Sequence, residues 1–378
     1  MKRTMLVTLD FPPMVGGVAS YWANLARLMP SDRFFVLAEE GDSSLDFDVN
    51  QSFLIYRQNL ISCRRWLWPR WLPLLWAMYR LARMKQIQRF IVAHVLPTGT
   101  AALILKKILR IPYNVSIHGL DVAWAQRSKR KKWLTKIIFK NAESVIVNSD
   151  FTRQRLQSLC HIAPGKIHLV YPCPNVVAAP AEVSREEFLK KYNLENKRFI
   201  LTVGRLIERK GQDKVIEALP RIMRAVPAVA YLVVGRGPKL DSLRASVKEL
   251  KLEKQVRFCT DILDSELPAF YQNSELFIMP SRQLEDGDVE GFGIVYLEAN
   301  HYGLPVIAGR SGGASEAVEH GINGLLVDPL SVNDIAQAIM SLLTNQVRAC
   351  EFGERGRRRV AERFTWSEQA RELVKALE

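Results

Sequence analysis

The sequence predicts an α/β protein made of two doubly wound, Rossmann-like domains that face a central cleft. The chain has 378 residues, more than one hydrophobic core usually covers. Apolar runs typical of buried strands alternate with helical patterns, as in parallel sheets that carry helices on both faces. The alternation stops at a proline-rich stretch, residues 168–184, and then begins again. Because ligands of open α/β sheets bind at the carboxyl ends of the strands, the cleft is the expected site.

The first half of the chain supplies the elements of the first predicted domain. The strand patterns are TMLVTL, RFFVLAE, FIVAHV, YNVSIHG and SVIVNS, and the helix patterns are GGVASYWANLARLM, GTAALILKKIL and DFTRQRLQSLC. The first apolar run, Met5–Leu9, ends at Asp10, so we interpret it as a buried strand and not as a signal peptide. We place this N-terminal domain at residues 1–172.

The second half repeats the pattern and predicts a C-terminal domain at residues 173–363. RFILTVGRL reads as a strand, GQDKVIEALPRIM as a helix, and AYLVVGRGP as a strand with a turn. The alternation continues through KLDSLRASVKEL, QVRFCTDI, LPAFYQNS, LFIMPS, GIVYLEANHYG, PVIAGRSGG, HGINGLLVD and SVNDIAQAIMSLLTN. FTWSEQARELVKALE, residues 364–378, carries an apolar stripe and a polar N-cap candidate, which predicts a final helix.

Composition excludes several classes of protein. No uncharged apolar run reaches about 18 residues, so no membrane-spanning helix is predicted. The five cysteines are scattered without a Cys-x-x-Cys pair, which indicates a reducing cytoplasm and no disulfide framework. Cys160, His161, His168 and Cys173 lie close in sequence, but their spacing matches none of the usual zinc sites.

The positive charge is concentrated in the first half of the chain. Residues 1–175 hold 25 Lys and Arg against 10 Asp and Glu, whereas the remainder holds 28 against 29. Such asymmetry points to an anionic partner of the first domain.

The segment VGRLIERKG places two cations after a predicted strand of the second domain. Arg205 and Lys210 at the carboxyl end of a strand suit a diphosphate, because arginine offers a planar fork and lysine a point charge. A solvated basic loop is the alternative reading.

Two glycine turns follow predicted strands. Gly16 and Gly17 open the first helix, where free backbone N–H groups suit an anion. The turn in VVGRGP contains Gly235 but lacks the full dinucleotide fingerprint, so a nicotinamide cofactor is not favoured. Each could instead be a plain strand-to-helix turn.

The segment HGLD ends a predicted strand and contains His118 and Asp121. A single histidine is more often structural, but its place at the carboxyl edge of a sheet makes it a candidate site residue.

The segment EDGDVEGFGIVYLEA contains five acidic residues around a Gly-Phe-Gly turn. Glu290 precedes the turn, and Glu298 lies in the helix that follows, eight residues later. At about 1.5 Å of rise per residue, the two carboxylates need not meet. They can contact two hydroxyl-bearing parts of one ligand, with a phosphate at the helix N-terminus between them. A surface acidic loop with one helix glutamate is the alternative.

EGFGIVYLEA resembles the E-x7-E signature of retaining GT-B glycosyltransferases of the large family 4 type. GGV, HGLD, GRLIERKG and SGGASEAVEHGINGLLVDP fall where that family has its other motifs, so the resemblance covers essentially the whole chain. PSRQLEDGDVEGFGIVYLEA is also similar to bacterial phosphatidylinositol mannosyltransferases. The closer resemblance implies GDP-mannose as donor, whereas UDP-sugars remain open.

The resemblance implies a role for residues of the second domain. Arg205 and Lys210 would neutralise the donor diphosphate, Glu290 would hold hydroxyls of the transferred sugar, and Glu298 would hold the ribose. The nucleobase of the donor would lie near Gly235. The phosphates would contact the backbone of Phe292, Gly293, Ile294 and Val295.

In the first domain, the same resemblance places His118 against the donor sugar near the reacting carbon. Gly16 and Gly17 would approach the phosphates or the acceptor, and Asp121 would lie on the acceptor side. The helix at 364–378 would cross back onto this domain.

The family retains anomeric configuration, so the departing phosphate is expected to take the acceptor proton and no protein base is required. Cations and a helix N-terminus would stabilise the leaving group. No cofactor and no metal are expected. Asp286 and Asp288 resemble an Asp-x-Asp metal motif, but we expect this acidic segment to contact the acceptor.

Two basic, aromatic stretches of the first domain predict contact with an anionic membrane. Residues 63–89 hold four of the eight tryptophans and seven cations, and residues 127–140 hold seven more cations. Alternatively, the aromatic residues pack in the core. We expect peripheral association with the inner face of the plasma membrane, where a lipid-linked or glycan acceptor would be available.

The leading hypothesis is therefore a hexosyltransferase that moves mannose from a nucleotide sugar to a membrane-proximal acceptor. A UDP-sugar-dependent transferase with a soluble acceptor is the nearest alternative. A sugar-nucleotide epimerase would need other acid–base groups, and a nucleic-acid-binding protein, raised by the pI of about 9.6, lacks any recognised binding module.

Overall fold

A computed structural model describes residues 1–14, 16–42, 44–63, 68–119, 128–175, 184–192 and 194–378. The chain forms two compact units. Unit 1 comprises Met1–Pro172 and Trp366–Glu378, and unit 2 comprises Cys173–Thr365. Each unit contains a parallel sheet with helices, which confirms the predicted α/β fold class. In the described part of the chain, no helix combines the length and the apolar character needed to cross a bilayer.

Unit 1 is built on a seven-stranded sheet in the order β3-β2-β1-β4-β5-β6-β7. The strands are β1 (Thr4–Thr8), β2 (Phe34–Glu39), β3 (Leu54–Gln58), β4 (Arg89–Val92), β5 (Tyr113–Ile117), β6 (Val145–Val147) and β7 (Ile167–Leu169). The helices are α1 (Gly17–Arg27), α2 (Ser44–Asp48), α3 (Leu72–Met84), α4 (Thr98–Leu109), α5 (Lys129–Asn141), α6 (Asp150–Cys160) and, from the end of the chain, α15 (Trp366–Leu377).

The first apolar run of the chain forms β1, which pairs with both β2 and β4 and is buried along its whole length. The prediction of a buried first strand is therefore confirmed. The sequence patterns did not predict β3, an edge strand, or β7, which lies at the start of the proline-rich stretch.

The final helix, α15, packs on unit 1 because its apolar stripe is buried there. Leu373 and Leu377 belong to the same core cluster as Leu6 of β1 and Trp22 of α1. The Gln369 side chain also accepts a hydrogen bond from the backbone N–H of Tyr171 at 2.7 Å.

Unit 2 is built on a six-stranded sheet in the order β10-β9-β8-β11-β12-β13. The strands are β8 (Arg198–Val203), β9 (Val229–Val234), β10 (Val256–Cys259), β11 (Leu276–Met279), β12 (Val306–Gly309) and β13 (Gly324–Val327). The helices are α7 (Arg185–Tyr192), α8 (Gln212–Ala225), α9 (Leu240–Glu249), α10 (Leu267–Asn273), α11 (Ile294–His301), α12 (Ala314–Ala317), α13 (Val332–Leu343) and α14 (Gln346–Arg363).

The strand order reverses once in each sheet, between β1 and β4 in unit 1 and between β8 and β11 in unit 2. Loops that follow the two strands at such a switch point leave a crevice between them, and ligands of open α/β sheets bind there. In unit 2 these loops are GRLIERKG and the segment that leads to Glu290.

Candidate active site

The loops after β8 and β11 bring a lysine, an arginine and a glutamate into contact in unit 2. Lys210 Nζ lies 2.6 Å from Glu290 Oε2, and Arg209 Nη1 lies 2.8 Å from the same oxygen. All three residues are buried. Within the described residues, no donor contacts the other carboxylate oxygen, Oε1, so it can accept hydrogen bonds from a ligand.

The charges in this cluster set the protonation of Glu290. Burial alone would raise its pKa, but Lys210 and Arg209 favour the ionised form and hold the pKa at about 2. Burial lowers the pKa of Lys210, and the nearby guanidinium of Arg209 adds to this, whereas Glu290 opposes both effects. Glu290 is therefore a carboxylate at neutral pH, so its oxygens act as hydrogen-bond acceptors, for which hydroxyl groups are suitable donors.

Arg205, the other predicted diphosphate ligand, lies outside this cluster. It follows β8, and its side chain is exposed. It is close enough to contribute to the lowered pKa of Lys210, so the two predicted cations belong to one positive region. An anion placed there would contact one exposed and one buried cation.

Helix α11 begins beside Glu290, at Ile294. Gly293 precedes it with φ of +91°, a left-handed conformation in which a Cβ atom would lie about 2.4 Å from the ring of Tyr296. Phe292 is buried, with its ring centroid 5.8 Å from that of Phe364. The first N–H groups of the helix, including that of Val295, have no carbonyl partner within the helix and carry its positive dipole end.

The glycine-rich segment after β12 packs on the backbone of the Glu290 loop. The Gly313 N–H donates to the carbonyl of Glu290 at 2.9 Å, and a Cβ at Gly312, whose φ is +60°, would lie 2.2 Å from that carbonyl oxygen. The motif SGGASE thus positions Glu290 through close backbone contact, which only glycine allows here.

Glu298 lies in the second turn of α11 and has its own partners. Its Oε2 accepts a hydrogen bond from the Tyr271 hydroxyl at 2.8 Å, and the backbone of Asn175 donates to its carboxylate. Burial nevertheless raises the pKa of Glu298. The two glutamates of EGFGIVYLEA thus have separate surroundings, as their spacing predicted.

The acidic segment before Glu290 forms a tight turn. The N–H of Leu284 donates to the carbonyl of Asp288 at 2.8 Å, and Asp286 Oδ1 accepts from the N–H of Asp288 at 3.0 Å. Asp288 Oδ1 lies 3.1 Å from Arg209 Nε without hydrogen-bond geometry, so the contact is an ion pair. Among the described residues, no three His, Cys, Asp or Glu side chains come together in a way that could hold a metal ion.

In unit 1, His118 follows β5 and lies among aromatic side chains. Its Nε2 is 3.1 Å from Ser116 Oγ, and its ring makes edge contacts with Tyr21 and Trp22, with centroids 5.1 and 6.5 Å away. The histidine therefore has a fixed orientation at the carboxyl edge of the sheet.

Gly16 and Gly17 open α1, the helix after β1. A Cβ at Gly16 would meet nothing within 4 Å, so the backbone is open to a ligand there. Asp10 and His94, at the ends of β1 and β4, lie 3.6 Å apart (Oδ2 to Nε2) at the same switch point, a pairing that sequence reasoning missed. Asp121 lies outside the described residues.

Gly235 follows β9, which is the neighbour of β8, the strand that Arg205 follows. Its N–H donates to the carbonyl of Cys259 at 3.0 Å, which joins the ends of β9 and β10. The predicted nucleobase region at Gly235 thus lies beside the predicted diphosphate region at Arg205, within the same unit.

Sequence reasoning also missed Arg209 and Tyr271. Arg209 stands next to Lys210 in the motif itself, so its charge was visible, but its partner Glu290 is 81 positions away. Tyr271 is separated from Glu298 by 27 positions and carried no local signal.

Two family models match the chain. "Glycosyltransferase Family 4" matches residues 15–177, and "Glycosyl transferases group 1" matches residues 184–359. The two matches correspond to the two stretches of alternating strands and helices.

The chain is similar over its whole length to curated and solved proteins. It is 32% identical to a GDP-mannose-dependent alpha-(1-6)-phosphatidylinositol monomannoside mannosyltransferase of Mycobacterium tuberculosis, over 99% of this chain and 97% of the relative. A GDP-mannose-dependent monoacylated alpha-(1-6)-phosphatidylinositol monomannoside mannosyltransferase of Corynebacterium glutamicum is 28% identical, over 100% and 98%. The structure of Anabaena HepE with UDP and glucose has a TM-score of 0.83 at 19% identity, over 100% and 99%.

Proposed function

The chain belongs to the GT-B glycosyltransferases that these family models describe, which use nucleotide sugars, and we propose that it transfers mannose from GDP-mannose to a lipid-linked acceptor. The observation that carries the proposal is the buried Glu290 carboxylate, held by Lys210 and Arg209 beside the start of α11. The two mannosyltransferase relatives support the choice of donor, since each is named for its dependence on GDP-mannose.

In the proposed reaction, the bond between the anomeric carbon and the diphosphate oxygen breaks while the acceptor oxygen bonds to that carbon on the same face. Because the new bond forms on the face that the diphosphate leaves, the anomeric configuration is retained. The acceptor proton passes to the departing diphosphate, so no protein base is required. Lys210, Arg205 and the first N–H groups of α11 stabilise the charge on the leaving group. Glu290 Oε1 accepts hydrogen bonds from sugar hydroxyls, and Glu298 binds the ribose.

We also propose that the enzyme needs no metal ion. The proposal is supported by the positive charge of Lys210, Arg205 and the N-terminus of α11, and by the pairing of the Asp288 carboxylate with Arg209. In this proposal, side chains supply the positive charge that a divalent cation supplies in other transferases.

Binding and transfer with matched donors test the proposed function. GDP and GDP-mannose are expected to raise the Tm of the protein by roughly 5 °C at 100 times Kd, because a ligand that binds only the folded state stabilises it. UDP-glucose and ADP-glucose serve as matched probes, and release of GDP that depends on the acceptor measures transfer. Stabilisation by UDP-glucose alone would overturn the choice of donor, and no stabilisation by any of them would overturn the donor site.

The acceptor side of the proposal depends on a surface of unit 1 that we call the basic-aromatic face. Helices α3, α4 and α5 pack as neighbours against one core and expose large apolar side chains between cations. The exposed apolar residues of these helices are Trp76, Met84, Ile108 and Trp133, and Trp68, which precedes α3, is exposed as well. The exposed cations include Arg80, Arg83, Lys107, Arg110, Lys129, Arg130, Lys131, Lys132, Lys136 and Lys140.

We propose that this face docks on an anionic bilayer at the inner face of the plasma membrane. Tryptophan side chains favour the lipid interface, and each cation close to an anionic leaflet contributes about 1 kcal/mol. Trp76 and Trp133 are each 64% exposed, so the alternative in which they pack in the core does not hold for these two. Residues 64–67 and 127 of the predicted stretches lie outside the described residues.

Flotation with vesicles tests the docking surface. Replacing Lys131 and Lys132 by glutamine is expected to weaken binding to phosphatidylglycerol vesicles by roughly 30-fold, since two cations contribute about 2 kcal/mol. W76A/W133A should also reduce flotation, because interfacial aromatic anchors are lost.

The matched control is L45A/V49A, because Leu45 of α2 and Val49, which directly follows α2, are each 77% exposed but lie off the basic-aromatic face. It should float like the wild type. Equal flotation of the two test variants and the control, or strong binding to neutral phosphatidylcholine vesicles, would contradict the proposal.

A further inference from the structure

Arg209, whose side chain is only 5% exposed, makes polar contacts to three residues of the loop after β11. Its Nη1 contacts Glu290, its Nε faces Asp288, and its backbone carbonyl accepts a hydrogen bond from the N–H of Arg282 at 2.8 Å. The residue therefore joins the loop after β8 to the loop after β11 by both main chain and side chain.

The guanidinium of Arg209 can contact two carboxylates at once, which the neighbouring ammonium of Lys210 does not do. Its planar fork reaches two carboxylates in fixed directions, whereas Lys210 offers one point charge to Glu290. A buried carboxylate with no cation would be costly, so Glu290 needs at least one permanent partner.

The proposed function gives Lys210 a second task. If the diphosphate of the donor binds at Lys210, the ammonium divides its hydrogen bonds between the phosphate and Glu290. Arg209 contacts the carboxylates of Glu290 and Asp288, so it keeps Glu290 in place while Lys210 also binds the phosphate.

We infer that Arg209 is a positioning residue that fixes Glu290 and anchors the acidic turn through Asp288, which leaves Lys210 available to the donor diphosphate. This inference rests on the proposed function. It assigns Asp288 a contact inside unit 2, in addition to any contact with an acceptor.

The pH profile separates this role from a purely structural one. Glu290 faces Lys210, Arg209 and the Tyr296 hydroxyl, which bonds to the Met279 carbonyl at 2.8 Å and has a pKa raised by burial. Removing one of the two cations while burial remains raises the pKa of Glu290. The acid limb of kcat/KM should therefore move to higher pH.

The test compares R209Q, R209K and D288N with R198Q in GDP titrations and in transfer from GDP-mannose across pH. We expect R209Q to lower kcat by about 10- to 100-fold, to move the acid limb upward, and to change the Kd of GDP by less than about threefold. R209K should restore the acid limb because it restores the charge, but not the full kcat, since lysine cannot reach both carboxylates. D288N should raise KM with little change in the acid limb.

R198Q is the matched control, because Arg198 also pairs with a glutamate of unit 2, Glu275 at 3.1 Å, but at the amino end of β8. An R209Q enzyme with the kcat and pH profile of R198Q would overturn the inference, as would an R209K enzyme with a shifted acid limb. If the wild-type protein binds no GDP, the proposed function is overturned as well. If the wild type binds GDP and R209Q has an unaltered kcat and pH profile, only the role of Arg209 is overturned.

Discussion

Replacing Glu290 by glutamine is expected to lower kcat/KM for transfer from GDP-mannose by about 10²- to 10³-fold while GDP still binds. The carboxylate is the group that sugar hydroxyls would contact through Oε1, and an amide oxygen is a weaker acceptor. GDP has no sugar at that position, so its affinity should not fall. The affinity for GDP should stay equal or rise, because Lys210 loses the carboxylate that competes for its hydrogen bonds.

The same substitution leaves the buried Lys210 ammonium without its counter-charge and leaves Arg209 with Asp288 as its one carboxylate partner. Breaking a buried ion pair on one side typically costs about 3–5 kcal/mol, so E290Q should also unfold at a lower temperature than the wild type. Kinetics must therefore be measured well below its Tm. E275Q, which removes a carboxylate paired with Arg198, is the matched control and should transfer mannose like the wild type. Near-normal turnover by folded E290Q would exclude the assigned role.

The sequence was sufficient for the parts of the site that are local along the chain. Glu290, the Gly-Phe-Gly turn and Glu298 lie within nine residues, and their spacing with a helical pattern placed one carboxylate before α11 and one inside it. Lys210 is predicted as a site residue because two cations follow a strand pattern. In each case the prediction needed only the period of the chain and the chemistry of the side chains.

Contacts between distant segments could not be predicted in the same way. Arg209 and Asp288 are 79 positions apart, and nothing in either segment specifies that the loops after β8 and β11 meet. The strand order that brings them together is a property of the whole sheet. For this reason the sequence alone predicts an acceptor contact for the acidic segment, whereas the structure also pairs Asp288 with Arg209.

Strand β3 shows the limit for the fold itself. Its sequence, LIYRQ, has neither a full apolar run nor strict alternation, because it is an edge strand with only partly buried residues. Arg57 in this strand is satisfied by Asp48, with Nη2 2.8 Å from Oδ1, so a charge that argues against a strand is compensated by a tertiary ion pair. Local propensity carries no information about such a partner.

Replacing Lys210 by methionine should affect a different step from E290Q. The side chain volume is nearly kept, but the ammonium that would contact the donor diphosphate is lost. A charge-assisted hydrogen bond contributes about 1.5–3 kcal/mol, so we expect the Kd of GDP to rise by roughly 10- to 100-fold. Because charge on the leaving group grows in the transition state, kcat should fall further, by about 10²-fold.

Calorimetric titration with GDP and single-turnover transfer measure the two effects separately. K214Q, which removes a lysine paired with Glu217 on the exposed side of α8, is the matched control and should bind GDP like the wild type. An unchanged affinity of K210M for GDP would contradict the proposal that the diphosphate binds at Lys210. Glu290 keeps Arg209 as a partner in K210M, whereas E290Q leaves the buried Lys210 ammonium without a carboxylate, so K210M should be the more stable of the two variants. A loss of GDP binding in K210M but not in E290Q would therefore assign the lysine to the diphosphate and the glutamate to the sugar, independently of any difference in stability.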